Sequence, residues 1–213
     1  ADDGSSDEHT RMFNKEILEL DNIKYIIRKE NVGRAAIRNY LAKEAQYKWL
    51  LFIDSDMSVD NDEYIVTYLE KDDKFEVVYG GYSLAFGDSS NLRFIYEKKA
   101  EKSHTATKRN RHPYLDLHTA NLLILREVIL AIPFDERIKN YGYEDVLLGK
   151  RLKENNIAIQ HIDNPLIIDN YESNNDYLEK TKEGLHTLKM FANELHGYSR
   201  LLTTYKRISR CQL

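Results

Sequence analysis

Trp49-Leu50-Leu51-Phe52-Ile53-Asp54-Ser55-Asp56 is the stretch on which the fold of this chain turns. Five apolar residues in a row, closed by polar ones, have the length of a strand and suit a sheet covered on both faces. The run ends in two carboxylates two residues apart, so both can project to one side at the carboxyl end of the strand. Open α/β sheets bind their ligands at that edge. Two adjacent carboxylates repel and are comfortable only beside a cation or hydrogen-bond donors. A hard divalent ion such as Mg²⁺ or Mn²⁺ fits, held by one or two carboxylates plus substrate phosphates. The plainer alternative is a solvated turn of aspartates. Its position directly behind WLLFI favours the functional reading.

Outward from this strand, further short apolar runs read as strands at Ile23–Ile27, Glu76–Tyr79, Leu122–Leu125, Ile157–Ile162 and Leu166–Ile168. Helical spacing links Met12, Phe13, Ile17 and Leu20, then Ala36, Ile37, Tyr40 and Leu41, then Tyr64, Ile65, Tyr68 and Leu69. Val146, Leu148 and Leu152 follow the same rule, as do Leu178, Leu185, Leu188 and Ala192. Strands alternating with helices predict an α/β fold with a mixed, mostly parallel sheet flanked by helices. The pattern degrades from Ser83 to Leu117. The cations there (Lys98, Lys99, Lys102, Lys108, Arg109 and Arg111) predict an exposed helix and a mobile loop able to close as a lid.

The 213 residues, with no linker or repeat, predict one domain able to bury a sizeable core without staples. The single cysteine, Cys211, excludes a disulfide framework and a cysteine-based zinc cluster. With 31 Lys and Arg against 35 Asp and Glu, the net charge of −4 argues against a nucleic-acid partner. No apolar run approaches a membrane span and no signal peptide is visible, so a cytoplasmic address is expected. Lys206, Arg207 and Arg210 at the end of the chain suggest peripheral contact with anionic lipid at the inner face of the membrane.

Three further motifs carry weight only together. Gly142-Tyr143-Glu144-Asp145 opens a helix, where acids also suit the helix dipole and one could serve as a general base. Ala1-Asp2-Asp3-Gly4-Ser5-Ser6-Asp7 is turn chemistry, with Asp7 placed to cap a helix. Asn31-Val32-Gly33-Arg34-Ala35-Ala36-Ile37-Arg38-Asn39 opens a helix on a glycine, with an arginine able to face an anion.

In this order the four motifs resemble family 2 glycosyltransferases of the GT-A fold. Their pattern runs from a DDGS turn to N-x-G-x-x-x-A-R-N (Ile37 stands here for the family's Ala), then D-x-D and a later E-D pair. Pro133-Phe134-Asp135-Glu136, GYEDVLLGKRL and Ile162-Asp163-Asn164-Pro165 look like bacterial members that build surface polysaccharides. The resemblance runs from residue 1 to about 190. It implies transfer of a sugar from a nucleotide-diphosphate sugar to a glycan or lipid-linked acceptor, with inversion and a divalent metal. It implies Asp3 at the nucleobase with Asp2 beside it, and Arg38 near the donor nucleotide. Asp56 would bind the metal, with Asp54 helping it or holding the ribose. Asp145 would be the base and Glu144 would orient donor or acceptor, while Thr119 and Asn121 would lie on the acceptor side. It also divides the single domain into a nucleotide-sugar part (1–125), an acceptor and catalytic part (126–170) and a C-terminal helical extension (171–213).

Two departures stand out. Ile168 occupies the place where many relatives carry a metal-ligating His, and Asp169, one residue on, points the other way along a strand. His161 reads as a structural histidine. The family's strand, loop and helix before the DDGS turn also have no counterpart here. That predicts a front-truncated transferase with open sheet edges that self-associates. The alternatives are an inactive GT-A domain acting as a binding module and a haloacid-dehalogenase-type phosphatase with Asp54 as nucleophile. The phosphatase pattern wants Thr or Val where Ser58 stands. A nucleotidyltransferase would want a Gly-rich phosphate loop near its start, and none is visible.

Overall fold

A computed structural model describes residues 1–199, 201 and 202; Lys206, Arg207, Arg210 and Cys211 lie outside the described residues. The elements run α1 (Glu8–Asn14), a 3-10 turn (Lys15–Glu19), α2 (Arg34–Glu44), β1 (Trp49–Ile53), β2 (Met57–Ser58), α3 (Tyr64–Leu69), β3 (Val77–Tyr79) and β4 (Tyr82–Leu84). They continue with α4 (Leu92–Glu101), α5 (Ala106–Arg109), β5 (Asn121–Leu125), α6 (Arg126–Ala131), α7 (Glu144–Glu154), β6 (Ile159–His161), β7 (Leu166–Ile168) and α8 (Asn174–Met190).

The main sheet has the order β1-β5-β3-β6. β1, β3 and β6 share one direction and β5 alone is reversed, so the sheet is mixed and mostly of one sense. Because β5 sits between β1 and β3, both of its pairings are antiparallel, with Leu51 opposite Leu123 and Val78 opposite Leu123. β5 is buried along its whole length, whereas β1 is only half-buried and Ile53 is exposed. The interior strand is therefore NLLIL rather than WLLFI, since β1 has a partner on one side only.

Alternation along the strands builds two cores. Val77, Tyr79, Leu122 and Ile124 face Ala35, Val128, Leu148 and Leu152 on α2, α6 and α7. Val78 and Leu123 point the other way, toward Tyr64 and Tyr68 of α3 and Leu166 of β7. Each fully buried aliphatic side chain contributes about 1.5–3 kcal/mol relative to exposure. A third cluster, Ile138, Leu147, Leu188, Phe191 and Leu195, seats α8 against α7.

Several expected elements differ. Ile23–Ile27 is no strand: it contributes only a parallel bridge between Ile27 and Asp2, closed by Asp2 N–H to Ile26 O (2.7 Å) and Arg28 N–H to Asp2 O (2.9 Å). Of the small sheet β2-β7-β4 only β7 is legible as an apolar run; the two- and three-residue β2 and β4 leave no periodic signal. The α1 stripe is not part of a core among the described residues, with Met12, Phe13, Ile17 and Leu20 exposed. Asp7 does cap α1, accepting from His9 N–H and Thr10 N–H. On α2 the inward face is Ala35, Arg38, Asn39 and Ala42, not the more apolar Ala36, Ile37, Tyr40 and Leu41. That inversion brings polar side chains into the molecule and founds the site.

Candidate active site

Arg38, 8% exposed, reaches inward from α2 with its Nη1 donating to Glu144 Oε1 and its Nη2 to Asp54 Oδ1, each at 2.9 Å. One guanidinium thus ties the carboxyl end of β1 to the first turn of α7. Beside it Asn39 exchanges hydrogen bonds with the Phe134 backbone, donating to its O (3.0 Å) and accepting from its N–H (2.9 Å). Gly33 opens the helix at φ +88°, and a Cβ there would meet Lys139 O at 2.7 Å, so only glycine fits this turn.

Glu144 and Asp145 begin α7 after Gly142 and Tyr143, both at positive φ. Burial, and then the neighbouring Asp145 charge, push the Glu144 carboxyl above its ordinary range against the pull of Arg38. Asp145 Oδ2 lies 3.0 Å from His118 Nδ1, and its Oδ1 accepts from Val146 N–H at 2.7 Å. Burial pushes this carboxyl up, but the His118 bond and charge outweigh it, and Asp145 titrates below its ordinary value. A cleft of about 440 Å³ opens over the pair, lined by Arg93, Tyr96, His118, Tyr143, Glu144 and Asp145 among others. A larger depression of about 660 Å³, beside Arg28, Asn31, Tyr40 and Lys139, shares no lining residue with it.

Asp56 keeps a 41%-exposed side chain, and its Oδ2 lies 3.6 Å from Arg93 Nη1. Arg93 is paired in turn with Glu172. Ile168 lies opposite Met57 and is buried, so the position beside Asp56 carries no ligating atom. Among the described residues no group of three or more His, Cys, Asp or Glu could hold a metal ion. Asp54 Oδ1 accepts from Arg38 and Asp56 Oδ2 faces Arg93; two carboxylates are nonetheless the chemistry that suits a hard divalent ion drawing its other ligands from phosphate and water.

At the front, Asp2 is buried as a turn clamp, accepting from Ser5 N–H (2.7 Å) and from Tyr25 O–H (3.3 Å). The Ser5 bond is the main reason its carboxyl lies low, against the cost of burial. Asp3 Oδ2 accepts from the N–H groups of Val32 (3.1 Å) and Gly33 (3.0 Å), while its buried Oδ1 has no hydrogen-bond partner.

Other expected positions lie deeper in the fold. Asn121 is fully buried and spent: its Nδ2 donates to Gly81 O and Asn164 O, each at 2.8 Å, and its Oδ1 accepts from the Tyr64 and Tyr68 hydroxyls. Thr119 is buried as well, and neither lines the cleft. Arg109 is no lid residue: it is 3% exposed and donates to Ile162 O (2.7 Å), Gly80 O (3.4 Å), His161 Nδ1 (3.2 Å) and His104 O. The expected mobile loop instead carries the short helix α5, pinned from inside. His161 is the structural histidine expected, with burial pulling its titration down to about 4.

His118 escaped the sequence reading. It follows Leu117 in an aperiodic stretch, 27 residues from its partner, and no motif marks it.

With this geometry in hand, the chain can be set beside known proteins. The family model described as "Glycosyl transferase family 2" matches residues 1–131. A teichoic acid poly(glycerol phosphate) polymerase of Staphylococcus epidermidis is 26% identical over 146 residues, 66% of this chain and 20% of that protein. Among solved structures, S. aureus TarS 1–349 in complex with UDP-GlcNAc aligns with a TM-score of 0.58 at 19% identity, over 81% of this chain and 49% of that one. The mannosyltransferase PcManGT of Pyrobaculum calidifontis, in complex with GDP-Man and Mn²⁺, gives 0.53 at 14% identity, over 77% and 45%. These likenesses establish the GT-A architecture. The chain spans about a fifth of the curated relative and about half of TarS.

Proposed function

The chain belongs to glycosyl transferase family 2, and on that premise we propose that it transfers a sugar from a nucleoside-diphosphate donor to the hydroxyl of a glycan or lipid-linked acceptor, with inversion. The observation that carries the reading is the Arg38 bridge, which couples the D-x-D edge to the helix bearing Asp145. A phosphatase with Asp54 as nucleophile gives way to the family match, and Asp54 is already engaged by Arg38.

Asp145, ionised at neutral pH, accepts the proton of the acceptor hydroxyl while that oxygen attacks the anomeric carbon. The bond from this carbon to the diphosphate breaks on the opposite face, and its electron pair leaves with the phosphate. Base catalysis of this kind contributes typically about 10²–10⁴ in rate. Glu144, held by Arg38, orients the sugar, and Arg38 fixes both carboxylates rather than contacting the nucleotide. Asp3 offers its Oδ1, which takes no hydrogen bond and lies 3.9 Å from Arg28 Nε, to a nucleobase N–H, with Asp2 shaping the turn. Asp56 and Asp54 would hold a divalent ion, which would supply charge neutralisation for the leaving diphosphate.

A lipid-linked acceptor would bring the chain to the inner face of the membrane as a peripheral protein. Among the described residues no helix is long and apolar enough to cross one. The open edge of β1 supports self-association, which mass measurement at high concentration would read.

Thermal unfolding with Mn²⁺ and each nucleoside diphosphate, beside Asp56→Ala, tests the donor site. Ligand at about 100 times its dissociation constant stabilises by about 2.7 kcal/mol, a rise of about 5–11 °C for this size class. The expected result is a metal-dependent rise with one nucleotide, lost in Asp56→Ala. No rise with any nucleotide would leave the binding-module reading in its place.

A further inference from the structure

We propose that His118 is a positioning residue for the base, holding the Asp145 carboxylate through Nδ1 and making its basicity depend on whether the imidazole is charged. The inference rests on the transferase reading above. It is carried by geometry: Nδ1 lies 3.0 Å from Asp145 Oδ2, and Val146 N–H lies 2.7 Å from Oδ1. Two donors, one on each oxygen, fix the plane of the carboxylate and leave its remaining lone pairs to the cleft that His118 also lines. The imidazole is wedged among aromatic rings, with centroids 5.8 Å from Tyr79, 6.2 Å from Tyr82 and 6.4 Å from His104. Its side chain keeps 42% exposure, which leaves an edge open for proton exchange.

The neutral ring donates Nδ1–H to Asp145. When the ring gains a second proton, a full positive charge stands beside the carboxylate and makes it a poorer base. Burial works against that charge, but the bond to Asp145 and the charges of Asp145, Glu97 and Asp116 outweigh it, so His118 titrates above its ordinary 6.5. His161, the remaining ring near it, is held neutral by burial and adds no charge. Turnover therefore follows the uncharged fraction of His118. It falls about tenfold per pH unit below that titration, as for one essential deprotonated group.

The first arm is independent of activity. NMR titration of the histidine rings, with His118 assigned by its loss in His118→Asn, is run on the intact chain and on Asp145→Asn. The midpoint of His118 is expected to drop in Asp145→Asn; an unchanged midpoint overturns the pair. The second arm reads nucleoside diphosphate released from UDP-GlcNAc and from GDP-mannose with Mn²⁺ and water as acceptor, across pH. The Nδ2–H of Asn can replace Nδ1–H but cannot titrate. His118→Asn is therefore expected to keep most of the turnover at high pH and to lose the limb near neutrality, while His118→Ala loses turnover at every pH. A limb that survives in His118→Asn, or full turnover in His118→Ala, overturns the positioning role. No release from either donor at any pH, with the NMR linkage intact, tells against the transferase reading and leaves the pair standing.

Discussion

Two arginines are buried to almost the same degree, Arg38 at 8% and Arg109 at 3%, and they serve opposite ends. Arg109 donates mainly to carbonyl oxygens of the loops around it and lies across the face of Tyr79. Gly81 leaves room for it: a Cβ there would meet the guanidinium at 2.8 Å. Arg38 donates to carboxylates, one of them on the first turn of the helix that carries Asp145. Burial of an arginine thus does not by itself distinguish structure from function; the identity of its acceptors does. Carbonyls cannot change charge, whereas carboxylates respond to pH, metal and substrate.

The contrast can be broken most sharply on the Arg38 side. Asp145→Asn should lower turnover by about 10²–10⁴, with unfolding temperature nearly unchanged; a variant that retains turnover would remove the chemistry from this node. Next in size are the two arginines themselves. Arg38→Met should destabilise by about 3–5 kcal/mol and Arg109→Met by about 1–3 kcal/mol for each carbonyl left unpaired, read by denaturant unfolding, but with different pH dependence. Without Arg38, buried Glu144 keeps only the weaker pull of Arg34 and its raised carboxyl rises further. That cost is absent below the ordinary 4.5 and grows as pH rises through 4.5 to the raised value. The loss in Arg38→Met should therefore shrink on acidification. The loss in Arg109→Met should shrink only through His161, whose titration the Arg109 charge helps to lower, so its pH dependence should vanish in a His161→Asn background; a dependence that persists there would dissolve the distinction.

A third effect belongs to the partner of Arg109. His161 is held neutral to about pH 4 in the folded chain against 6.5 unfolded. The unfolded state binds a proton first, so stability is full above 6.5 and falls by roughly 3 kcal/mol as pH drops through 6.5 to 4. His161→Asn should flatten that segment of the stability–pH curve. Smallest is Lys98→Ala, in the same basic stretch as Arg109. Its exposed pair with Glu101 (2.7 Å) should be worth less than about 1 kcal/mol in unfolding experiments. A larger loss would mean that the basic stretch as a whole, not Arg109, holds these loops.

Legibility in the sequence followed the same division. Runs such as Leu122–Leu125 announced themselves because each residue enters an apolar layer, Leu166–Ile168 because both its ends are buried, and the D-x-D and E-D acids because they stand at element ends. The face of α2 was misread because Arg38 and Asn39 turn inward, inverting the hydrophobic rule at the place where function needs it. Arg109 was taken for surface because its carbonyl partners belong to the backbone, which no side-chain pattern encodes. The Asp145–His118 pair and the Asn121 node join residues far apart in the chain, and spacing along one segment carries no trace of them.

Tyr143 stands in the left-handed region at φ 70°, just before the acid pair. A residue with a Cβ is held there at a torsional cost of about 1–2 kcal/mol, which glycine would not bear. The hinge that aims Glu144 toward Arg38 and Asp145 toward the cleft is thus a loaded spring, latched by the contacts α7 makes once it is docked. Tyr143→Gly would unload it: the fold would relax and the backbone would gain freedom at the one joint that sets the direction of both acids. The tyrosine ring lines the cleft instead, so stability is given up at this residue for aim.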